Sequence, residues 1–232
     1  MRAVFKGNRN HDANATTGRD RYRKVSQAAQ IPSQLPGFRD VRHGDSLFDG
    51  LRPYQQVPFQ FSLHVQRSKA AALAHHSFLA EGRCDPRPEF MRRLRDVLLV
   101  QGSLVAFNAP FELGRLKECS ALLPEFRPWV AGIERRIVDL LLPFRRFHFY
   151  HLAQNGSASM KAVLPALTGR GYDQLAIRDG GRASQEFIRV HFGNVPDDER
   201  ERVRRQLEEC RALDTMGMVR IVDALHSACQ TP

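Results

Sequence analysis

Three carboxylates, far apart along the chain, are of the right type to do chemistry together. Glu112 follows the short apolar run Ser103–Phe107, which reads as a buried strand. Asn108-Ala109-Pro110 breaks that strand, and Phe111 to Leu116 starts a helix. Asp139 is embedded in the apolar run Arg136–Leu142, where a carboxylate is costly unless paired or metal-bound. Asp214 interrupts the apolar face of a helix over about Cys210–His226. Acids drawn from a sheet and a late helix suit two-metal phosphodiester hydrolysis. There Mg²⁺ takes oxygen ligands, and two ions roughly 3.5–4 Å apart clamp the attacking and leaving oxygens. Taken singly, each acid also has a plainer reading. Glu112 fits a solvated first-turn glutamate favoured by the helix dipole, and Asp214 a solvated helix aspartate.

The elements that must position these acids are legible in outline. Val57–Val65 alternates apolar and polar residues and predicts a half-buried strand with Gln60, Ser62 and His64 on one face. Ala74–Ala80 predicts a second strand. Glu89–Gln101 predicts an amphipathic helix with Phe90, Leu94, Val97 and Leu98 on one stripe. Phe126–Arg135 reads as a loop or short helix, and Phe144–His151 is aromatic and basic. Ser159 is a candidate N-cap for a helix to Leu167. Asp179-Gly180-Gly181 predicts a tight turn before a helix over Ala183–Phe192. Pro196-Asp197-Asp198-Glu199 starts a charged helix running towards Cys210. The strand ends place Asn108 and Glu112 where open α/β sheets face their ligands.

Composition sets the bounds. The 232 residues, 42% hydrophobic and 26% charged, suit one large or two small soluble domains, and no apolar run is long enough to span a bilayer. No secretory leader is visible, and four scattered cysteines without a C-x-x-C pair predict neither a disulfide framework nor a structural zinc site. These features predict a cytoplasmic protein without a membrane partner. The net charge of +10 permits nucleic acid as a partner without compelling it. Residues 1–46 are polar and without a sustained period, and predict a disordered or non-native segment. Texture changes at Leu47, so the folded domain is expected over 47–228.

Six segments occur in an order that identifies a resemblance. They are R-P-Y-Q-Q-V-P-F-Q-F-S-L-H (52–64), F-N-A-P-F-E (107–112), R-I-V-D-L-L-L-P-F-R (136–145), S-M-K-A-V-L-P-A-L (159–167), D-G-G-R-A-S (179–184) and L-D-T-M-G-M-V-R-I (213–221). The set resembles a bacterial domain-of-unknown-function family with an RNase H-like, DEDD-type exonuclease fold, often C-terminal to a RecB-like nuclease domain. The resemblance covers Leu47 to about Leu225. It implies an α/β fold, a mixed sheet flanked by helices, and metal-dependent 3′–5′ exonuclease activity on DNA or RNA. Glu112 and Asp214 would hold Mg²⁺ or Mn²⁺. Asp139 would be a third catalytic acid or a structural one. Asn108 and Gln60 are candidate substrate contacts, and Lys161 a candidate phosphate contact.

Two departures follow from the same resemblance. Cys210 stands four residues before Asp214, where such exonucleases place a Tyr or His. The first motif, a strand of the type F-L-D-F-E-T that supplies two metal carboxylates, is replaced by Leu35-Pro36-Gly37-Phe38-Arg39-Asp40. The first central strand is therefore expected to be degraded or missing, and hydrolytic activity impaired. Codons for Leu35–Val41, regrouped by one base, permit Phe-Leu-Asp-Phe-Glu-Thr, so an out-of-frame reading of residues 1–46 accounts for the mismatch. A natural degenerate N-terminus is the other account. The alternative function is a non-catalytic nucleic-acid-binding or interaction module.

Overall fold

Strand-forming runs with an apolar face and helices with an apolar stripe have one economical arrangement, a sheet covered by helices on both faces. The computed structural model describes residues 25–30, 34–35, 48, 55–68, 71–81, 83–171, 177 and 180–230. Its main sheet has five strands: β1 (Val25–Gln30), β4 (Gln60–Val65), β5 (Ala74–Leu79), β6 (Ser103–Ala106) and β7 (Ile137–Asp139). Two further strands, β2 (Gln34–Leu35) and β3 (Val57–Pro58), pair antiparallel in a ladder of their own. The strand order of the main sheet is β5-β4-β1-β6-β7. β4 is antiparallel to both of its neighbours, whereas β6 is parallel to β1 and β7 to β6. The carboxyl ends of β1, β6 and β7 therefore share one rim, together with the start of β4.

Seven helices complete the described fold: α1 (Arg87–Val97), α2 (Ala109–Leu122), α3 (Arg127–Glu134), α4 (Leu142–Arg145), α5 (Met160–Thr168), α6 (Gly180–Phe192) and α7 (Asp197–Gln230). Alternation along β4 sends Phe61, Leu63 and Val65 to one face. There they pack with Leu104 of β6, Phe90 and Leu94 of α1, and Leu116 of α2. On the other face Val105 packs with Val163 and Leu164 of α5 and with Met218 and Ile221 of α7. A third core joins Phe59 and Leu79 to Phe187 of α6 and to Val203 and Leu207 of α7, with Phe59 stacked on Phe187 at 4.0 Å. Gly217 lets α7 approach α5 closely, since a Cβ there would stand 2.8 Å from Leu164 Cδ2.

Several elements differ from the sequence expectation, each for a physical reason. The Val57–Val65 run is interrupted at Phe59, and every residue of β4 is buried, not half of them. Its polar face is covered by α7, which the strand pattern by itself does not reveal. The helix expected over Glu89–Gln101 starts at Arg87 and stops at Val97, because Leu98 takes an extended conformation. The separate charged and apolar C-terminal helices are one helix, Asp197–Gln230, continuous through Cys210. Gly180 and Gly181 lie in the first turn of α6 and not in a tight turn.

The central position of the sheet is occupied by Val25–Gln30, a stretch with neither charge, glycine nor proline. That is ten residues before Leu35–Asp40, the segment aligned with the first motif. Leu35 instead pairs with Val57, and Pro36–Asp40 lie outside the described residues. Of the 1–46 segment, only 25–30 and 34–35 are described.

The stacked pair at the third core makes a direct prediction. Phe187→Ala should lower the unfolding free energy by about 3–5 kcal/mol, measured by urea unfolding. Val100→Ala, at a position 91% exposed, should change it by less than about 0.5 kcal/mol.

Candidate functional site

The β6–α2 connection is a single tight turn at the carboxyl rim. Asn108 turns the chain in the left-handed region at φ 72°, which asparagine tolerates better than most residues. Pro110 stands in the first turn of α2, where its missing N–H is not needed. Asp139, the last residue of the neighbouring strand β7, pairs with Ala106. Its Oδ1 accepts from Asn108 N at 3.0 Å and from Leu141 N at 2.9 Å. The costly acid of the apolar run is thus paired with backbone amides, and it ties the β6–α2 turn to the start of α4. Through Oδ1 it holds the turn that leads to Glu112.

Glu112 is 3% exposed in the first turn of α2. This overturns the plain reading of a solvated glutamate. The helix dipole favours a carboxylate there, but burial in that turn is what sets it apart from ordinary first-turn acids.

On the opposite face, α7 crosses β4 along a polar seam lying between two apolar cores. Gln60 Nε2 donates to Leu207 O at 2.9 Å. Thr215, fully buried, meets Ser62 Oγ at 2.7 Å and His64 Nδ1 at 2.8 Å through its hydroxyl. Ser62 Oγ also lies 2.9 Å from His75 Nε2, and the rings of His64 and His75 stack at 4.5 Å. Ser62 is the ladder partner of Gln30, the last residue of β1. Asp214, one residue before Thr215, therefore sits on the turn of α7 pinned beside the carboxyl end of β1. Its Oδ2 accepts from Arg211 Nη1 at 2.9 Å, with both side chains largely buried at 13% and 10% exposure. Asp214 is thus no solvated helix aspartate either.

Glu112 and Asp214 are carried by helices packed on opposite faces of the sheet. Around them the acids are committed elsewhere: Asp139 serves two amides and Asp214 a guanidinium. Among the described residues, no three His, Cys, Asp or Glu side chains form a group able to hold a metal ion. The segment V-S-Q-A-A-Q of β1 brings no carboxylate to the rim. As it stands, the described donor set does not fit a two-metal cage.

The other candidate residues fall in distinct places. Gln60 is buried at the rim and anchors α7. Asn108 is half-buried at the turn, and Lys161 is exposed in the first turn of α5. Cys210 is buried within α7. Thr215 and Arg211 were not anticipated. Their signal was faint: two polar residues flanking Asp214 on a helix face that otherwise reads as apolar.

Residues 45–159 match the model of a family described as a domain of unknown function (DUF2779). The matched span contains Gln60, Asn108, Glu112 and Asp139 and stops before Lys161 and Asp214. Comparison with curated proteins and with solved structures finds no match.

Two predictions follow from this geometry. Asp139→Ala leaves two amides without their acceptor and should cost about 1–3 kcal/mol. Asp139→Asn keeps an oxygen in place and should cost less than half as much, both read by urea unfolding. The second concerns acid. Burial, and then the neighbouring His75, pull His64 from its ordinary 6.5 to about 4. The fold therefore holds His64 neutral, and its contribution is full above pH 6.5 and lost as pH falls towards about 4. His75 and His191 are also lowered, chiefly by burial, and act in the same direction. The melting temperature should fall across that window, and His64→Gln should flatten the dependence.

Proposed function

We propose that this is a metal-dependent 3′–5′ exonuclease-type domain, RNase H-like in architecture, whose metal site is depleted in the present chain. One observation carries the reading. Glu112 is buried in the first turn of the helix leaving β6, and Asp214 stands one residue before Thr215, whose hydroxyl meets Ser62, the ladder partner of the last residue of the central strand. The sheet order, with β4 alone antiparallel to the rest, supports the same reading. Mg²⁺ or Mn²⁺ would be held by Glu112 and Asp214 together with carboxylates on the central strand, and V-S-Q-A-A-Q lacks those. An upstream RecB-like nuclease domain is the partner implied by the resemblance. Little or no hydrolysis is expected of the chain as it stands.

A second reading has its own support. Arg211 neutralises Asp214 without a divalent ion. That favours a non-catalytic module that binds nucleic acid without metal.

The test is hydrolysis of labelled single-stranded DNA with Mn²⁺. Ala28 and Gln30 pair across the ladder with His64 and Ser62, the residues that hold Thr215. Ala28→Asp with Gln30→Glu should give Mn²⁺-dependent cleavage well above the parent, abolished by a further Asp214→Ala. Robust turnover in the parent that survives Glu112→Ala would discard the assignment.

A further inference from the structure

Beyond the rim, the segment after α4 has features that neither core nor candidate site uses. Phe147 is 60% exposed, while Phe144 and Phe149 on either side are buried. Its backbone is in the left-handed region at φ 53°, a conformation that costs an L-residue and that glycine adopts freely. The turn is nonetheless firmly built. Phe147 N donates to Phe144 O at 3.1 Å, and His148 N and Phe149 N both donate to Pro143 O. A large apolar ring is thus kept in solvent on strained backbone, at a helix end where glycine would be the cheaper choice.

A second ring stands beside it. Tyr150 lies 5.8 Å from Phe147 between centroids, and its hydroxyl accepts from Gly156 N at 3.1 Å, which fixes the ring. Arg145 and Arg146 immediately precede Phe147, both exposed, and neither has a side-chain hydrogen bond or ion pair among the described residues. The surrounding sequence is one-signed. Between Asp139 and Asp173 there is no acidic residue, against four Lys/Arg, Lys161 among them, and two His.

We propose that Phe147 and Tyr150, with Arg145 and Arg146, form a stacking platform for single-stranded nucleic acid. Two neighbouring rings, tilted 49° to each other, offer bases a π-face, and the exposed guanidinium groups of the two preceding residues meet the phosphates. A lipid surface would also attract arginines. A platform fixed by the Tyr150 hydroxyl and three backbone hydrogen bonds suits a planar base better than an acyl chain. The inference rests on the nucleic-acid reading above but needs no hydrolysis and no metal.

The experiment is fluorescence anisotropy of a labelled oligodeoxythymidine with the full chain in EDTA. The parent should bind, and binding should weaken between roughly 50 and 200 mM salt. Phe147→Gly should weaken binding about ten-fold while leaving the melting temperature no lower, because it removes both the ring and the strain. Arg145→Glu with Arg146→Glu should reduce the log–log salt slope by roughly 1.4, the contribution of two phosphate contacts. Binding by the parent in EDTA, with no divalent ion present, separates the platform from the nuclease reading. Undiminished binding by Phe147→Gly would overturn the proposal. So would capture of the parent by phosphatidylserine vesicles with no binding to the oligonucleotide.

Discussion

The hydroxyl of Thr215 is the contact on which the position of the rim depends. It is fully buried between a long helix and the second strand of the sheet, and a buried hydroxyl without partners costs several kcal/mol (about 2–7 by transfer scales). Ser62 and His64 supply those partners two residues apart along β4. Apolar packing alone lets a helix slide or rotate over a sheet with little penalty. Thr215 limits that freedom: its hydroxyl can reach Arg211 O within α7 in any register, but a shift of one residue would take it away from the buried His64 Nδ1 and Ser62 Oγ. Gln60 makes a second such contact with Leu207 O, eight residues earlier on the helix. Together they set both the height and the rotation of α7, and so the place of Asp214 and Arg211.

Asp139 does the corresponding work on the other side of the rim. A left-handed Asn108 lets the chain reverse from β6 into α2, and two amide hydrogen bonds to one carboxylate oxygen hold the reversal in place. Glu112 inherits its position from that turn. Two of the acids there are answered without an ion, Asp139 by amides and Asp214 by a guanidinium. This is how a sheet with no acid on its central strand is still held together at the edge where such acids would repel one another without a cation.

Much of this was legible in the residues, and what was not has a common cause. The alternation of β4, the apolar run of β6, and the Asn-Ala-Pro break before α2 are local patterns, and the elements follow them closely. The grouping of Gln60, Ser62 and His64 on one face was also legible. That this face is buried was not, because its cover comes from a helix some 150 residues later. Likewise, α7 contains charged and apolar halves that read as two helices. They are joined because Leu207, Thr215 and Met218 dock in succession on one sheet face. The central strand escaped notice because V-S-Q-A-A-Q has weak β-propensity and earns its place from neighbours on both sides. Glu112 and Asp214 were named from type and spacing, yet their burial and the pairing of Asp214 with Arg211 belong to tertiary structure alone.

The proposed metal site joins Asp214 of α7 to carboxylates that the central strand lacks. Titration of Mn²⁺ followed by electron paramagnetic resonance tests it most directly, on the parent and on the chain carrying carboxylates at positions 28 and 30. The account predicts weak binding by the parent and at least ten-fold tighter binding by the variant, lost again when Asp214 is removed. Tight binding by the parent, or no gain in the variant, would contradict it.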